Sequence, residues 1–458
     1  MFRIANDKEL GIIELGEYIN KHMSEVTERY RPLIDAYETK YPIFGQLPKP
    51  QWKPDKRIAV NFAKYIVDTM NGFFMGIPVK VMCDEDETVA NYVEYLDGYN
   101  DMDDSNAELS KLCDIYGKGY EMYYVDEYGS VGITHVSPME AFMIYDDSVL
   151  ERPRYFVRLY TDANDVMHGS ISDKERVRYF SMEGGLHWEA KYERIHGFDD
   201  VPATEYRENE EVIGIFEPVL TMINEYNEAV SEKANDVAYF ADAYLKILGA
   251  KVDDETIKEI RDNRIINFEG TDISDLMVEF LQKPDGDTTQ EHLLDRLERL
   301  IFQISMVANI SDENFGTSSG IAMKYKLQAM SDLALTKQRK FTSSMNRRYK
   351  IIFSNPVSGM KADDWVKLTY QFTQNMPSNL LEEAQIAAQL TGIVSQPTQL
   401  KVLSIVDNVQ QEIRQMKEDQ DPEGYMTDYP TNRIAEVDEE ETGISSEGGG
   451  NGRAGQST

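Results

Sequence analysis

The residues of this 458-residue sequence best suited to chemistry are its paired carboxylates: Asp84-Glu-Asp86, Asp103-Asp104, Asp146-Asp147 and Asp199-Asp200. Adjacent acids can hold a divalent metal that activates water for phosphoester hydrolysis, provided further acids converge from other segments. Asp146-Asp147 directly follows the apolar run Phe142-Met-Ile-Tyr145. A metal-dependent nuclease or phosphoesterase using Asp146 and Asp147 is therefore one reading. The opposing reading is that pairs arise by chance in so acidic a chain and occupy solvated turns. Other centres are missing from the sequence. Gly117-Lys-Gly119 lacks the spacing and the Ser/Thr of a phosphate-binding loop, and there is no HExxH, GxSxG or paired CxxC. The six histidines are scattered without ligand spacing. No catalytic residue, cofactor or metal is predicted.

The elements that would position any site divide the chain into halves. The composition is 41% hydrophobic and 10% aromatic, enough for folded cores, and the length implies two or more units. A formal charge of −34 argues against a sequence-reading nucleic-acid binder and against docking on anionic membranes. Cys83 and Cys113 read as buried thiols of a reducing compartment. No signal-peptide core or membrane-length apolar run is evident.

Residues 1–212 read as an α+β domain. Helices are predicted at Leu15–Tyr41, Arg57–Met75, Glu87–Leu96 and Asn106–Tyr116, with Val79–Met82 starting a strand. Strands follow at Tyr120–Val125, Ser130–Val136, Ala141–Tyr145, Arg154–Tyr160, Arg176–Phe180 and His187–Ile195. The second half is dominated by long helices. One amphipathic pattern runs from Ile213 to Leu248, more than about 45 Å of rod. A second covers Gln290–Ala308, and between them lies a small α/β insertion with a helix at Asp253–Asp262 and strands at Arg264–Phe268 and Leu276–Gln282. A polar loop, 309–320, leads to a third helix, Ile321–Phe353, then a strand at Lys361–Phe372 and helices at Ser378–Thr391, Thr398–Val406 and Val409–Lys417. Residues 418–458 carry eleven Asp/Glu against Arg433 and Arg453 and read as a disordered acidic tail.

Against this acidity, Lys337, Arg339, Lys340, Arg347, Arg348 and Lys350 crowd onto the third helix. They read either as a solvated face pairing with nearby acids, or as an inter-subunit salt-bridge belt or phosphate contact. The inter-subunit belt is the leading expectation.

The order of parts resembles the portal proteins of tailed bacteriophages, in the branch typical of siphoviruses of Gram-positive hosts. The stretches that carry the resemblance are Asn61 to Val79, Tyr116-Gly-Lys-Gly-Tyr-Glu-Met-Tyr-Tyr-Val-Asp126 followed by Val136-Ser-Pro138, Val201 to Asn209, Phe216 to Asn227, and Gly316-Thr-Ser-Ser-Gly-Ile-Ala-Met-Lys-Tyr-Lys-Leu327. Together they span roughly residues 15–417. The resemblance implies an α+β portal fold with a wing (1–212, with 321–372 returning to it), stem helices (213–248 and 290–308), a clip (249–289), a tunnel loop (309–320), a helical crown (373–417) and the tail (418–458). It implies a virion protein, assembled in the host cytoplasm as a ring of twelve subunits at one capsid vertex. Double-stranded DNA would pass through it without sequence preference. Implied partners are the terminase large subunit, head-completion or adaptor proteins, and the scaffolding and major capsid proteins, with no membrane.

An acidic lining suits such a conduit, because repelled phosphates find no well in which to stick. Glu232 and Asp236 on the first stem helix, with Asp295 and Glu298 on the second, are the lining candidates. In the tunnel loop Asn309, Ser311, Asn314, Thr317, Ser318 and Ser319 offer hydrogen bonds, while Asp312 and Glu313 add repulsion.

Overall fold

The apolar stripe beginning at Leu15 does build a helix. In the computed structural model, which describes residues 2–50, 53–240, 245–248, 277–280, 287–310, 320–376, 380–403, 405–406 and 409–420, it runs as α1 (Ile12–Glu25), a π-helical turn (Val26–Tyr30) and α2 (Arg31–Tyr37). The π turn turns Val26 and Tyr30 into the core, where the Tyr30 ring meets Tyr116 edge-on at 5.5 Å.

α3 (Phe62–Met75) starts five residues later than Arg57, because Asn61 caps it by accepting the Lys64 N–H at 2.8 Å. α4 (Glu87–Tyr99) is capped by Asp86. α5 (Met102–Tyr116) ends at Gly117, whose φ of +81° brings its α-carbon against the backbone of Val212. A Cβ there would lie 2.3 Å from the Val212 carbonyl oxygen, so only glycine fits.

Two antiparallel systems follow. β3 (Lys118–Val125) and β4 (Val131–Val136) form the hairpin expected around Asp126–Gly129, and β10 (Ala203–Arg207) adds to the free side of β3. A six-stranded sheet is ordered β1 (Phe2–Ile4), β5 (Ala141–Asp146), β6 (Pro153–Thr161), β7 (Met167–Ser172), β8 (Arg176–Ser181), β9 (His187–Ile195), with β1 parallel to β5 and every other neighbour antiparallel. β7 escaped the pattern reading since Met-His-Gly-Ser-Ile-Ser has little strand propensity. Its Gly169 lies under the Phe180 ring, where any Cβ would clash.

Long helix α8 (Gly320–Ser354) agrees closely with expectation and closes the main core through Leu327, Met330, Ala334, Phe341, Met345 and Tyr349. The segment after it departs from expectation. Asp364–Lys367 is a 3₁₀ turn, held by the Lys361 N–H on Asp364, and only Thr369–Gln371 forms a strand, β13, pairing with β2 (Lys80–Met82).

The predicted rod from Ile213 to Leu248 is shorter. Its helix, α6 (Leu220–Phe240), is 21 residues and about 31 Å long. Upstream, Val212 has a positive φ and Glu217–Val219 is a 3₁₀ turn started by Pro218, clamped where Arg29 reaches both Glu217 and the Val212 carbonyl. Downstream, Leu245–Leu248 is not helix but strand β11, antiparallel to β12 (Met277–Phe280). α7 (Asp287–Ser305) returns antiparallel to α6. The helix expected at Asp253–Asp262, the strand at Arg264–Phe268 and the turn at 284–286 lie outside the described residues.

Residues 1–376 form one compact unit and 377–458 another. Within the second, α9 (Leu380–Gln389), α10 (Gln396–Leu400) and α11 (Val409–Gln420) are described, with Gln399 donating to the Ala387 carbonyl at 2.7 Å. α11 continues three residues past Lys417, and the acidic sequence from 421 on lies outside the described residues.

Candidate functional site

The α6–α7 pair is where charge, polarity and an unusual backbone contact converge. Asn227, Ser231 and Asn235 recur every four residues along one face of α6, and all three are buried. That spacing matches an extended strand taken two residues at a time, and residues 56–60 lie along it as a strap. Val60 N–H donates to Asn227 Oδ1 at 2.7 Å, Ile58 N–H to Ser231 Oγ at 2.9 Å, and Lys56 N–H to Asn235 Oδ1 at 2.6 Å. Ser231 Oγ and Asn235 Nδ2 return bonds to the Ile58 and Lys56 carbonyls. Arg57 secures the strap from its other side by donating to the Phe44, Gln46 and Leu47 carbonyls. This is why 57–61 is not part of α3. Its backbone is satisfied by side chains of a helix far away in sequence, and no local periodicity reports that. The signal available was the Asn-x₃-Ser-x₃-Asn spacing, an odd run of uncharged polar residues on a long helix.

Another face of α6 meets α7 and α3. The Phe62 ring lies 4.9 Å from Tyr226 and 5.7 Å from Phe302, and Lys233 pairs with Glu291. Burial, and then the carboxylates of Glu298, Asp295 and Glu291, raise the pKa of Tyr226, so α7 presents a row of acids to this contact. The remaining face of α6 carries Glu225, Glu228, Glu232 and Asp236 in one stripe. Of the four lining candidates, Glu232 is engaged by Lys49 at 2.6 Å and Glu298 accepts from Asn309 Nδ2 at 3.1 Å, while Asp295 is exposed.

Asn309 begins the polar loop. With the Ile310 N–H donating to Tyr65 Oη at 2.8 Å, the start of the loop is tied to α7 and α3. Ser311, Asp312, Glu313, Asn314, Thr317, Ser318 and Ser319 lie outside the described residues.

The basic cluster on α8 requires a correction. Lys337 and Arg348 do not face a neighbouring subunit; both are fully buried inside the chain. Lys337 Nζ lies 2.6 Å from Asp114 and 2.9 Å from Glu208, and donates to the Ser110 carbonyl at 3.2 Å. Burial lowers its pKa, but the two carboxylates outweigh that and hold it above the ordinary lysine value. Burial, and to a lesser degree the neighbouring Glu208, push the pKa of Asp114 well up against the lowering pull of Lys337. Arg348 grips both oxygens of Glu121 at 2.7 and 2.8 Å and also donates to Asn106 at 2.7 Å. Arg347 pairs with Asp200 at 2.8 Å and Lys340 with Glu210, leaving Arg339 and Lys350 as the exposed members. The sequence showed the cations but not Asp114, Glu121 and Glu208, which come from α5, β3 and the segment after β10.

The Asp146-Asp147 pair organises a turn. Asp146 is buried, and its Oδ1 accepts from Ser148 Oγ at 2.8 Å, the Arg152 N–H at 3.0 Å and the Ser148 N–H at 3.2 Å, which holds its pKa below the usual carboxylate range. Asp147 Oδ1 accepts the Asn6 N–H at 3.2 Å. A cleft of about 1000 Å³ beside it mixes both signs, including Arg152, Arg176, Arg347, Asp173 and Glu193. Among the described residues, no group of three or more His, Cys, Asp or Glu stands together to hold a metal ion. Cys83 and Cys113 are free and buried, as expected.

The described residues thus present charged helix faces on an α+β frame. The family described as phage portal protein, SPP1 Gp6-like, matches residues 16–424, and the chain belongs to that family. A portal protein of Clostridium phage phiCD119 is 24% identical over 387 residues, covering 78% of this chain and 83% of that one. Among solved structures, the neck of an empty GTA particle computed with C6 symmetry is similar at 11% identity and a TM-score of 0.45, covering 77% of this chain and 89% of that one. The protein is thus a structural phage portal protein, a component of the virion, and the resemblance read from its sequence holds.

Proposed function

We propose that the chain forms a closed ring of about twelve copies at one capsid vertex, through which double-stranded DNA is packaged and later ejected. The observation that carries this reading is the family match across residues 16–424, which takes in the helix pair and the polar loop together. A helix pair whose outward α6 stripe is wholly acidic suits a conduit or its walls, since phosphates meet no cationic well there. In this reading Asp236 and Asp295 border the conduit, and Glu232 and Glu298 contribute less, because Lys49 offsets the first and Asn309 engages the second. Residues 309–320 form the tunnel loop, with Asn309, Ser311, Asn314, Thr317, Ser318 and Ser319 brushing the duplex and Asp312 and Glu313 repelling it. The α6–α7 pair is the stem, 249–289 the clip and 373–417 the crown. The ring serves as a platform for a terminase motor during packaging and for head-completion proteins afterwards. Scaffolding and major capsid proteins surround it, and assembly takes place in the host cytoplasm. The chain itself turns over no substrate; the motor supplies the energy.

Light scattering after gel filtration, with negative-stain images of the peak, tests this reading. The expected result is a particle of about twelve chain masses with a central hole. A protein that remains monomeric at tens of micromolar overturns it.

A further inference from the structure

Two features of the helix pair have no use within one copy. On α7, Leu293 and Ile304 are each 43% exposed, and with Leu297 and Leu300 they make a seam spaced four, three and four residues apart. That is the spacing of a helix that packs against another helix. Beside this seam Arg296 and Arg299 are exposed and form no salt bridge among the described residues. On α6, Glu225 and Glu228 are exposed and have no base in reach among the described residues. Both unpaired couples have the same three-residue spacing, about 4.5 Å along a helix.

Their positions are complementary. Glu228 is two residues beyond Tyr226, which faces α7, and so lies about 200° round the helix, pointing away from α7. Arg296 is five residues beyond Glu291, which meets Lys233 of α6, and so lies about 140° round the helix, pointing away from α6. The pair therefore has an acidic flank on one side and a basic, apolar flank on the other. Their heights agree as well. Lys233 pairs with Glu291, so on antiparallel helices Arg296, five residues further along α7, is level with Glu228, five residues back along α6, and Arg299 likewise with Glu225.

We infer that α7 of one copy packs on α6 of the next, with Leu293, Leu300 and Ile304 covered and Arg296 and Arg299 facing Glu228 and Glu225 of the second copy. The inference rests on the ring reading above. In a ring whose axis runs along the helix pair, rotation moves every residue at constant height, so residues level within one copy stay level between copies. Two different flanks meeting head to tail without a rise along the axis build a ring when the rotation between copies closes, whereas a self-complementary flank would stop at a dimer. An exposed apolar seam rimmed by charge is the anatomy of a packed interface, and the charge pairs fix which flank meets which. Glu225 and Glu228 then belong to the wall between subunits instead of the bore.

The test uses the full chain and two charge reversals, Arg296→Glu with Arg299→Glu, and Glu225→Arg with Glu228→Arg. All four residues are exposed, so each variant should keep its helical circular-dichroism spectrum and its monomer melting temperature. At a concentration where the parent is fully assembled, each reversal should lose the ring peak in light scattering, raising the assembly midpoint roughly tenfold or more. Combining both reversals should restore the ring. A parent that assembles while either reversal leaves the ring intact, or while the combination fails to restore it, overturns this contact and leaves the ring reading standing. A parent that never assembles overturns the ring reading and the contact with it.

Discussion

Asn227 Oδ1 accepts the Val60 N–H at 2.7 Å, joining two backbone segments 167 residues apart. With Ser231 and Asn235 below it, this bond lays an extended strap along a helix that would otherwise present a polar face to nothing. The orientation of α6, and with it which flank is acidic and which meets α7, is set by this ladder as much as by apolar packing.

Asn227→Ala should therefore destabilise the chain by about 1–3 kcal/mol, since the Val60 N–H loses its acceptor at a part-buried site. Ser231→Ala should cost a similar amount, and the pair less than the sum because the strap detaches as a unit. Urea denaturation at fixed protein concentration measures both. Equal stability of parent and Asn227→Ala would show that the strap contributes nothing to holding α6.

A larger effect is expected at Lys337, which sits between Asp114 and Glu208 with no exposed surface. Lys337→Met leaves two buried carboxylates without a cation and should cost about 3–5 kcal/mol. Adding Asp114→Asn and Glu208→Gln to it removes the stranded charge and should recover most of that loss. Chemical denaturation of the single and triple variants distinguishes this from simple loss of packing, which the added substitutions would not repair.

How much of this was legible in the sequence depended on the range over which each feature is determined. α8 emerges within a residue of its expected ends because its apolar stripe from Leu327 to Tyr349 is a local property. The strap could not, since residues 57–60 look helical until Asn227, Ser231 and Asn235 are brought alongside. The α8 cations failed for the same reason. Their number is visible in the sequence, but burial against Asp114 and Glu121 comes from folding. The rod of residues 213–248 was over-extended because Leu245–Leu248 keeps an apolar spacing that suits a helix, and its pairing with Met277–Phe280 decides for strand. The family resemblance survived these errors, resting on short local stretches and their order.

Asp97 gives a stability that falls as pH rises. Burial raises its pKa to about 6, against the lowering pull of Arg348. A carboxyl whose folded pKa exceeds its unfolded value near 4 stabilises the fold while protonated, and that contribution is lost as pH rises through about 6. Asp97→Asn, which keeps an acceptor for Tyr349, should be more stable than the parent by about 1–3 kcal/mol at pH 7.5, with the gap closing below about pH 4. Stability measured against pH for both proteins decides it, and a constant gap would mean that Asp97 does not titrate differently in the two states.

His22 gives the opposite slope. It is 1% exposed, its ring lies 4.7 Å from Phe142, and its Nε2 is 3.4 Å from the Met139 carbonyl oxygen. Burial lowers its pKa to about 4, so it is neutral in the fold at pH 7. A base with a depressed folded pKa contributes stability that is complete above its unfolded pKa of about 6.5. That contribution is lost as pH falls toward about 4, where the unfolded chain takes up a proton that the folded chain refuses. The loss should approach about 3 kcal/mol over that window. His22→Gln keeps the ring's approximate volume and one donor while removing the titration, so its stability should be lower than the parent's at pH 7.5 but flatter between pH 6.5 and 4. Parallel curves for the two proteins would place the acid sensitivity elsewhere.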